Sequence, residues 1–517
     1  MHNCPQDRCV ASDYLDRIRR ARVYDVALET PLERAPRLSR RLGCEVLMKR
    51  EDLQPVFSFK LRGAYNKIAS LGEAEAARGV ICASAGNHAQ GVALAARRRR
   101  IPALVVMPRT TPAIKVEAVR DLGAAIELAG DDYDAAYERA RTLAGERALT
   151  FIHPFDDPDV IAGQGTIALE LLKQSPAPFD AVFVAIGGGG LIGGIGACLK
   201  ALAPGVRVIG VEPEDAAGMH ASLAAGRVVR LEHVGLFADG VAVKRVGEET
   251  FRLARQHVDE IVLVDTDEIC AAIQDIFEDT RSIAEPAGAL GVAGLKKWLA
   301  GRPAGGRYVT VTGGANMNFD RLRHVAERAD LGQHREALFA VEIPEQPGSF
   351  LRFCESFAGR SVTEFNYRYA RSDRAQIFVG FALAGGLAEQ AGLEAEIARA
   401  GFPVLDMSHN EMAKLHVRYM VGGAAAGLRH ERLFRFEFPE RPGALLAFLK
   451  AIGTDWNISL FHYRNHGSDY GRVLAGIEVP PPSEAEFLRH LALLGYDFVE
   501  ETQNPAYRIF LGGGAAP

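Results

Sequence analysis

The chain has 517 residues, 48% of them hydrophobic and 24% charged, with a formal net charge of −5. That length exceeds what one hydrophobic core serves, so two or three domains are expected, and the composition is globular rather than disordered. The slight acidity gives no electrostatic reason to expect nucleic acid or an anionic membrane as partner, which leaves small molecules as the expected ligands.

The first segment, Met1 to Asp16, carries Asp7, Arg8 and Asp13 and lacks the apolar core of a signal peptide. Seven cysteines, at 4, 9, 44, 82, 198, 270 and 354, form an odd set without a Cys-x-x-Cys pair. Neither a disulfide framework nor a metal site is indicated, and a cytoplasmic, reducing setting is expected. From about residue 30 to 320, short apolar runs alternate with helical patterns. Gly79–Ala83, Ala103–Met107, Ala124–Leu128, Ala181–Ile186, Val206–Val211 and Tyr308–Val311 read as strands, and Asp131–Ala148 and Asp265–Ser282 as helices. Continuous apolar strands separated by helices predict an α/β fold with a largely parallel sheet covered on both faces. Ala181 to Leu199 runs 19 residues without a charge, long enough to cross a bilayer, but seven of them are glycine. Gly187 to Gly190 must break any helix there, so the run reads as buried strand, loop and helix start, with no membrane span.

Residues 1–320 are therefore read as one catalytic domain, followed by a charged connector at 321–336. Beyond it lies an internal repeat. Phe339-Ala-Val-Glu-Ile-Pro-Glu-Gln-Pro-Gly-Ser-Phe-Leu351 returns as Phe434-Arg-Phe-Glu-Phe-Pro-Glu-Arg-Pro-Gly-Ala-Leu-Leu446, 95 residues on, and Phe365-Asn-Tyr-Arg-Tyr369 returns as Phe461-His-Tyr-Arg-Asn465. Each copy predicts strand, Pro-Gly turn, helix (Ser349–Phe357; Ala444–Ile452), strand, strand (Gln376–Leu383; Gly471–Val479) and helix (Leu387–Ala400; Glu484–Leu494). That β-α-β-β-α order is the ferredoxin-like plan. The modules span 337–410 and 432–512 around a second connector at 411–431. The Pro-Gly turn brings a helix start close to a strand end, where free N–H groups could receive a ligand carboxylate; dimerisation without a ligand is the alternative reading.

Three stretches of the first domain carry chemistry. Gly187-Gly-Gly-Gly-Leu-Ile-Gly-Gly194 lies between a strand and a helix, so its backbone N–H groups can converge on a phosphate. The same run contains a G-x-G-x-x-G at Gly188, Gly190 and Gly193, with Glu212 ending the next strand, which keeps a dinucleotide site open. Lys60, between Phe59 and Leu61 where a helix opens, is a Schiff-base candidate if burial disfavours its charged form, and a solvated surface lysine otherwise. Ser84-Ala-Gly-Asn-His-Ala-Gln-Gly91 follows a strand, where open α/β sheets place ligands; the alternative is a plain helix cap by Ser84 or Asn87.

The runs Ser58-Phe59-Lys60-Leu61-Arg62-Gly63-Ala64, Ser84 to Gly91, Gly187 to Leu191 and Glu285-Pro-Ala-Gly-Ala289 resemble, in order and spacing, the fold-type II pyridoxal-phosphate enzymes of the tryptophan synthase β type. More narrowly, the chain resembles the biosynthetic threonine dehydratases (threonine ammonia-lyases) from about residue 12 to 511. Its specific marks are Phe237–Arg245, Gly359–Tyr367, Ala413–Gly423 and Trp456–Tyr463. The resemblance implies pyridoxal 5'-phosphate as cofactor, with Lys60 as Schiff-base lysine and catalytic base. Asn87 would partner the ring hydroxyl, Gly187, Gly188, Gly189, Gly190 and Leu191 would form the phosphate loop, and Phe59 and Gly313 would also border the cofactor. Ser84, Ala85, Gly86, Asn87 and His88 would hold the substrate carboxylate. It further implies conversion of L-threonine to 2-oxobutanoate and ammonia, tandem ACT-like regulatory modules sensing isoleucine as inhibitor and valine as its opponent, and a homotetramer.

One position departs from the pattern. The family has a serine against the pyridine nitrogen, in a Ser-Gly-Ala-Asn run, where this chain has Gly313-Gly314-Ala315-Asn316. Thr312 could replace that hydroxyl only if the strand end is bulged, since successive strand residues face opposite ways; a water is the other candidate. The competing functions are a serine dehydratase or racemase on the same scaffold and a non-catalytic amino-acid sensor.

Overall fold

A computed structural model of the protein describes residues 5–319, 321–346, 348–357, 359–368, 374–415, 417–419, 428, 430–439, 444–452, 456–464, 470–493, 497–504 and 507. It divides into two compact units, residues 1–332 and 333–517.

The first unit contains strands β1 (Leu32–Arg34), β2 (Glu45–Arg50), β3 (Val80–Ala83), β4 (Ala103–Met107), β5 (Ala125–Leu128), β6 (Thr150–Phe151), β7 (Ala181–Ala185), β8 (Arg207–Pro213), β9 (Glu260–Val264) and β10 (Arg307–Thr312). They sort into two sheets, β1-β2-β10-β7-β8-β9 and β5-β4-β3-β6. Every pairing except β1 with β2 is parallel. The division is invisible in the sequence because strands of both sheets are apolar on both faces. β7 shows the cause: Ala181 and Phe183 pack with Leu290 and Ala293 of the helix Pro286–Leu299, while Val182 and Val184 pack with Ile192 and Ile195 of the helix Gly190–Leu202. Each such fully buried side chain contributes about 1.5–3 kcal/mol. The uncharged 19-residue run is thus strand, glycine turn and helix, and no helix among the described residues is long and apolar enough to cross a membrane.

β2 escapes the periodicity reading because it ends in Lys49-Arg50 and continues into Glu51-Asp52, yet all four residues are buried. Arg50 and Asp52 pair with each other at 2.8 Å, while Lys49 and Glu51 belong to a charge cluster centred on Arg62 of the helix Lys60–Ser70, whose side chain is fully buried. Its guanidinium donates to both carboxylate oxygens of Glu51, each at 2.8 Å, and to both of Glu170, at 2.6 and 2.9 Å. Lys49 Nζ lies 2.6 Å from Glu170 and donates to the Thr30 carbonyl at 2.5 Å. Two cations thus face two carboxylates; Thr166 takes the second Nη1 hydrogen, and the Leu28 carbonyl shares the Nη2 hydrogens with the carboxylates. One residue along, the helices Lys60–Ser70 and Pro158–Gln174 touch backbone to backbone: a Cβ at Gly163 would stand 2.7 Å from Gly63 Cα. The helix Arg321–Gly332, within the stretch read as a connector, lies in this first unit.

The second unit contains β11 (Glu336–Pro344), β12 (Val362–Arg368), β13 (Arg374–Ala382), β14 (Val404–Asp406), β15 (Glu431–Pro439), β16 (Asn457–Arg464), β17 (Tyr470–Glu478) and β18 (Asp497–Glu500). Each copy of the repeat therefore carries one strand more than the expected plan, because β14 and β18 return to pair with β11 and β15. The two copies form one eight-stranded sheet, β14-β11-β13-β12-β16-β17-β15-β18. They join through the repeated motif itself: Phe365 pairs with Tyr463 and Tyr367 with Phe461, about the central pair Asn366 and His462. Equivalent strands pairing antiparallel give the join an internal two-fold character. Gly348 takes the left-handed conformation, φ +82°, before the helix Ser349–Glu355; Pro347 and the second Pro-Gly, at 442–443, lie outside the described residues, as do 416 and 420–423 of the Ala413–Gly423 run.

Removing one member of a buried ion cluster leaves uncompensated charge in the interior and costs about 3–5 kcal/mol. Arg62→Met is therefore expected to move the guanidinium chloride unfolding transition of the first unit to clearly lower denaturant. An unchanged midpoint would show that the cluster does not hold the helix Lys60–Ser70 in place.

Candidate active site

The carboxyl ends of β3, β4, β6, β7 and β10 converge on a cavity of about 290 Å³, the position where parallel α/β sheets place ligands. Phe59, Lys60, Ser84, Ala85, Gly86, Asn87, His88, Gly187, Gly188, Gly189, Gly190, Leu191 and Gly313 all line it. Residues from four separated stretches of sequence thus meet at one site.

Lys60 is the first residue of its helix. The turn before it is strained, with Phe57 at φ +54°, and is clamped against the end of β10. Ala315 N donates to Phe57 O at 2.9 Å, Phe59 N donates to Gly313 O at 3.2 Å, and Ser58 bridges Gly314. The Lys60 amine donates to Pro154 O at 3.3 Å and stands 5.3 Å from the Phe59 ring centre. Burial lowers its pKa to about 8, against the pull of the Glu285 carboxylate. A neutral, nucleophilic fraction is therefore present near neutral pH.

The helix Asn87–Arg99 begins without a side-chain cap. Neither candidate cap acts as one: Ser84 Oγ accepts from Gly86 N within its own turn, and the Asn87 amide is bound to Glu285 and Asn316. The first N–H groups of that helix are thus left for a ligand. His88 donates from Nε2 to Ile152 O at 2.9 Å, and burial lowers its pKa to about 3, so the ring stays neutral. What Ser84 to His88 offers a carboxylate is backbone N–H groups, not an imidazolium.

In the glycine turn, each residue is required by close approach. A Cβ would meet the Phe155 ring at 2.2 Å from Gly188, Phe155 O at 2.9 Å from Gly190, and Val241 Cα at 3.0 Å from Gly187. Gly189, at φ +96°, has Thr250 Cβ 2.8 Å from where its own Cβ would be. Thr250 Oγ1 donates to Gly188 O at 2.6 Å, so that carbonyl is engaged by protein and the helix Gly190–Leu202 opens without a side-chain cap. This is a cup for an anion at a helix N-terminus.

Residues 23–314 match the family described as pyridoxal-phosphate dependent enzyme, and residues 327–417 and 422–511 match the C-terminal regulatory domain of threonine dehydratase. The chain is 57% identical over 503 residues to L-threonine dehydratase biosynthetic IlvA of Burkholderia multivorans, covering 96% of this chain and 99% of the relative. The chain belongs to the biosynthetic threonine dehydratase family. Among solved structures, it is similar to the processed form of threonine deaminase isoform 2 from Solanum lycopersicum (48% identity, TM-score 0.61, 62% of this chain and 94% of that one). It is also similar to maize serine racemase (32%, TM-score 0.57, 62% and 98%).

The family's cofactor, pyridoxal phosphate, fits the residues present: an amine of lowered pKa at one part of the cavity and, at another, an anion cup whose floor any Cβ would fill. The dehydratase departure at Gly313 is real in three dimensions. β10 pairs with β2 in unbroken register up to Thr312 opposite Arg50, so the strand end is not bulged. Thr312 Oγ1 is buried without a partner, and Thr312 is not among the cavity's lining residues, so its hydroxyl does not stand in for the serine.

Sequence reasoning missed Glu285, Asn316, Thr250 and the pair Lys115–Asp239, whose 2.8 Å bridge joins the helix Ala113–Asp121 to the turn Asp239–Val241 at the cavity. Glu285, Asp239 and Asn316 all lie in runs that carry the family resemblance, but nothing in those runs says which side chain faces inward.

Two substitutions test the cup and the departure. Gly189→Ala is expected to abolish stoichiometric cofactor retention, measured as visible absorbance after desalting, because the new methyl group has neither the backbone angle nor the space. Gly313→Ser is expected to fold normally, since its Cβ would meet the Phe59 ring at an ordinary 3.4 Å. One added neutral hydrogen bond should tighten cofactor binding about fivefold, measured by titration of the apoprotein.

Proposed function

We propose that the chain converts L-threonine to 2-oxobutanoate and ammonia with pyridoxal phosphate held at Lys60, supplying the first step of isoleucine formation, and that residues 1–320 carry this chemistry. The observation that carries the reading is the meeting of Lys60, Asn87 and the Gly187–Gly190 cup in one cavity of a chain 57% identical, nearly end to end, to a biosynthetic threonine dehydratase.

Pyridoxal phosphate, when bound, supplies an aldehyde for the substrate amine and a ring system that takes up the charge left by the departing α-proton. Lys60 would hold the cofactor through its amine, and that amine, whose pKa burial lowers to about 8, would be the group able to accept the α-proton near neutral pH. The uncapped start of the helix Asn87–Arg99 would receive the substrate carboxylate within the turn Ser84 to His88 through the backbone N–H groups of Ala85, Asn87 and His88, since those of Ser84 and Gly86 already donate to Val106 O and Ser84 Oγ. Asn87 would orient the ring, and the glycine cup would hold the phosphate end. The two modules of the second unit would sense isoleucine as inhibitor and valine as its opponent, in a cytoplasmic homotetramer; the match of residues 327–417 and 422–511 to the regulatory domain supports the regulatory role of these modules.

The purified, cofactor-loaded protein is expected to release 2-oxobutanoate and ammonia from L-threonine in equal amounts, with isoleucine inhibiting and valine restoring the rate. Lys60→Ala should lose both the visible absorbance and the products. Activity retained in that variant would overturn the assignment of Lys60. A higher kcat/KM for L-serine than for L-threonine would favour the serine enzyme, and isoleucine binding without turnover would favour the sensor.

A further inference from the structure

Glu285 stands at the N-cap of the helix Pro286–Leu299, a position where a short Asp, Asn or Ser side chain ordinarily satisfies the helix's own first N–H groups. Here it makes no such cap. Its carboxylate turns to the cavity, where Oε1 accepts a hydrogen from Asn87 Nδ2 at 2.6 Å. The other end of the same amide, Asn87 Oδ1, accepts from Asn316 Nδ2 at 2.7 Å, and Asn316 Nδ2 gives its second hydrogen to Val56 O at 2.8 Å.

This chain has a defined direction. Val56 O can only accept, so Asn316 must present its nitrogen; Asn87 must then present its oxygen to Asn316 and its nitrogen to Glu285. Flipping the Asn87 amide would set NH2 against NH2 at one end and oxygen against carboxyl oxygen at the other. One Nδ2 hydrogen of Asn87 is left for a ligand in the cavity. The backbone makes room for this: a Cβ at Gly314 would lie 2.4 Å from Glu285 Oε1, while Glu285 N donates to Gly314 O at 3.0 Å.

We propose that Glu285 is a positioning residue, which acts through Asn87 by holding its amide with nitrogen, rather than oxygen, turned to the oxygen substituent on the cofactor ring. The inference rests on the reading of Lys60 and Asn87 as cofactor residues. Burial raises the Glu285 carboxyl to about 7, with Asp239 adding to the rise and Asn87, Lys115 and Asn316 opposing it. The charged and titratable groups around it are Lys60 at the start of its helix, Lys115 on the helix Ala113–Asp121, Asp239 on its turn, and His88, held neutral. As pH falls through about 7 the carboxylate takes a proton and the acceptor of the Asn87 hydrogen bond weakens.

The test is titration of apoprotein with pyridoxal phosphate between about pH 6 and 8.5, followed by visible absorbance, for wild type, Glu285→Gln, Glu285→Ala, Asn87→Ala and the Glu285→Ala/Asn87→Ala double variant, each with its unfolding midpoint. Glu285→Ala should weaken binding about tenfold, the loss of one charge-assisted hydrogen bond. Glu285→Gln can still accept from Asn87; it should stay within about threefold of wild type and lose the additional weakening that wild type shows below pH 7. In the Asn87→Ala background the Glu285→Ala effect should vanish. Wild-type affinity and spectrum in Glu285→Ala, or an effect undiminished without Asn87, would overturn the proposal. Absence of a Lys60-dependent visible band in wild type would instead overturn the cofactor reading on which it rests.

Discussion

The buried pairing of Arg62 with Glu51 and Glu170 is the constraint on which the site depends. It ties together three segments far apart in sequence: the turn after β2, the opening of the helix Lys60–Ser70, and the helix Pro158–Gln174. Ionised groups are removed from water here at a cost of several kcal/mol each, offset only because every charge faces an opposite one at hydrogen-bond distance. Lys49 completes the balance by giving Glu170 a second cation. Such a cluster tolerates few arrangements, so it determines where the helix begins, and Lys60 stands at that beginning. The glycine contact between Gly63 and Gly163 closes the same helix pair from the other side.

With that helix in place, burial shifts three titratable groups of the cavity toward their neutral forms. Burial brings Lys60 down to about 8, Glu285 up to about 7 and His88 down to about 3. Beside the Lys115–Asp239 pair, the cavity offers an anionic ligand the backbone N–H groups of two helix starts. Two helix N-termini, after β3 and after β7, point their partial positive charge at one space, which suits a phosphate at one and a carboxylate at the other.

The second unit is organised by a different economy. Two copies of one sequence pattern present the same strand to each other, and the aromatic residues of that strand, Phe365 and Phe461, meet at 5.7 Å with Phe350 packed against both. Each copy alone would leave β12 or β16 as an unpaired edge; together they remove it. The connector contributes as well, since Arg418 is buried against Glu364 and Glu336 of the first copy.

The amino-acid sequence by itself determined the α/β class, the repeat, and the three stretches that carry the chemistry. Those features depend on local order: strand periodicity, glycine clustering and motif spacing survive in one dimension. Even the missing serine at Gly313 was legible there. Only the tertiary structure decided that the strands divide into two sheets, that the Lys49–Asp52 run is interior, and that Asn87 is gripped by Glu285 and Asn316 instead of capping its helix. It also decided that Thr312 faces away from the cavity its neighbour lines. The physical reason is common to all four. A charged or amide side chain is placed by partners that can lie 260 residues away, as Val56 does from Asn316, and the sequence near it says only what it could bond, not what it meets.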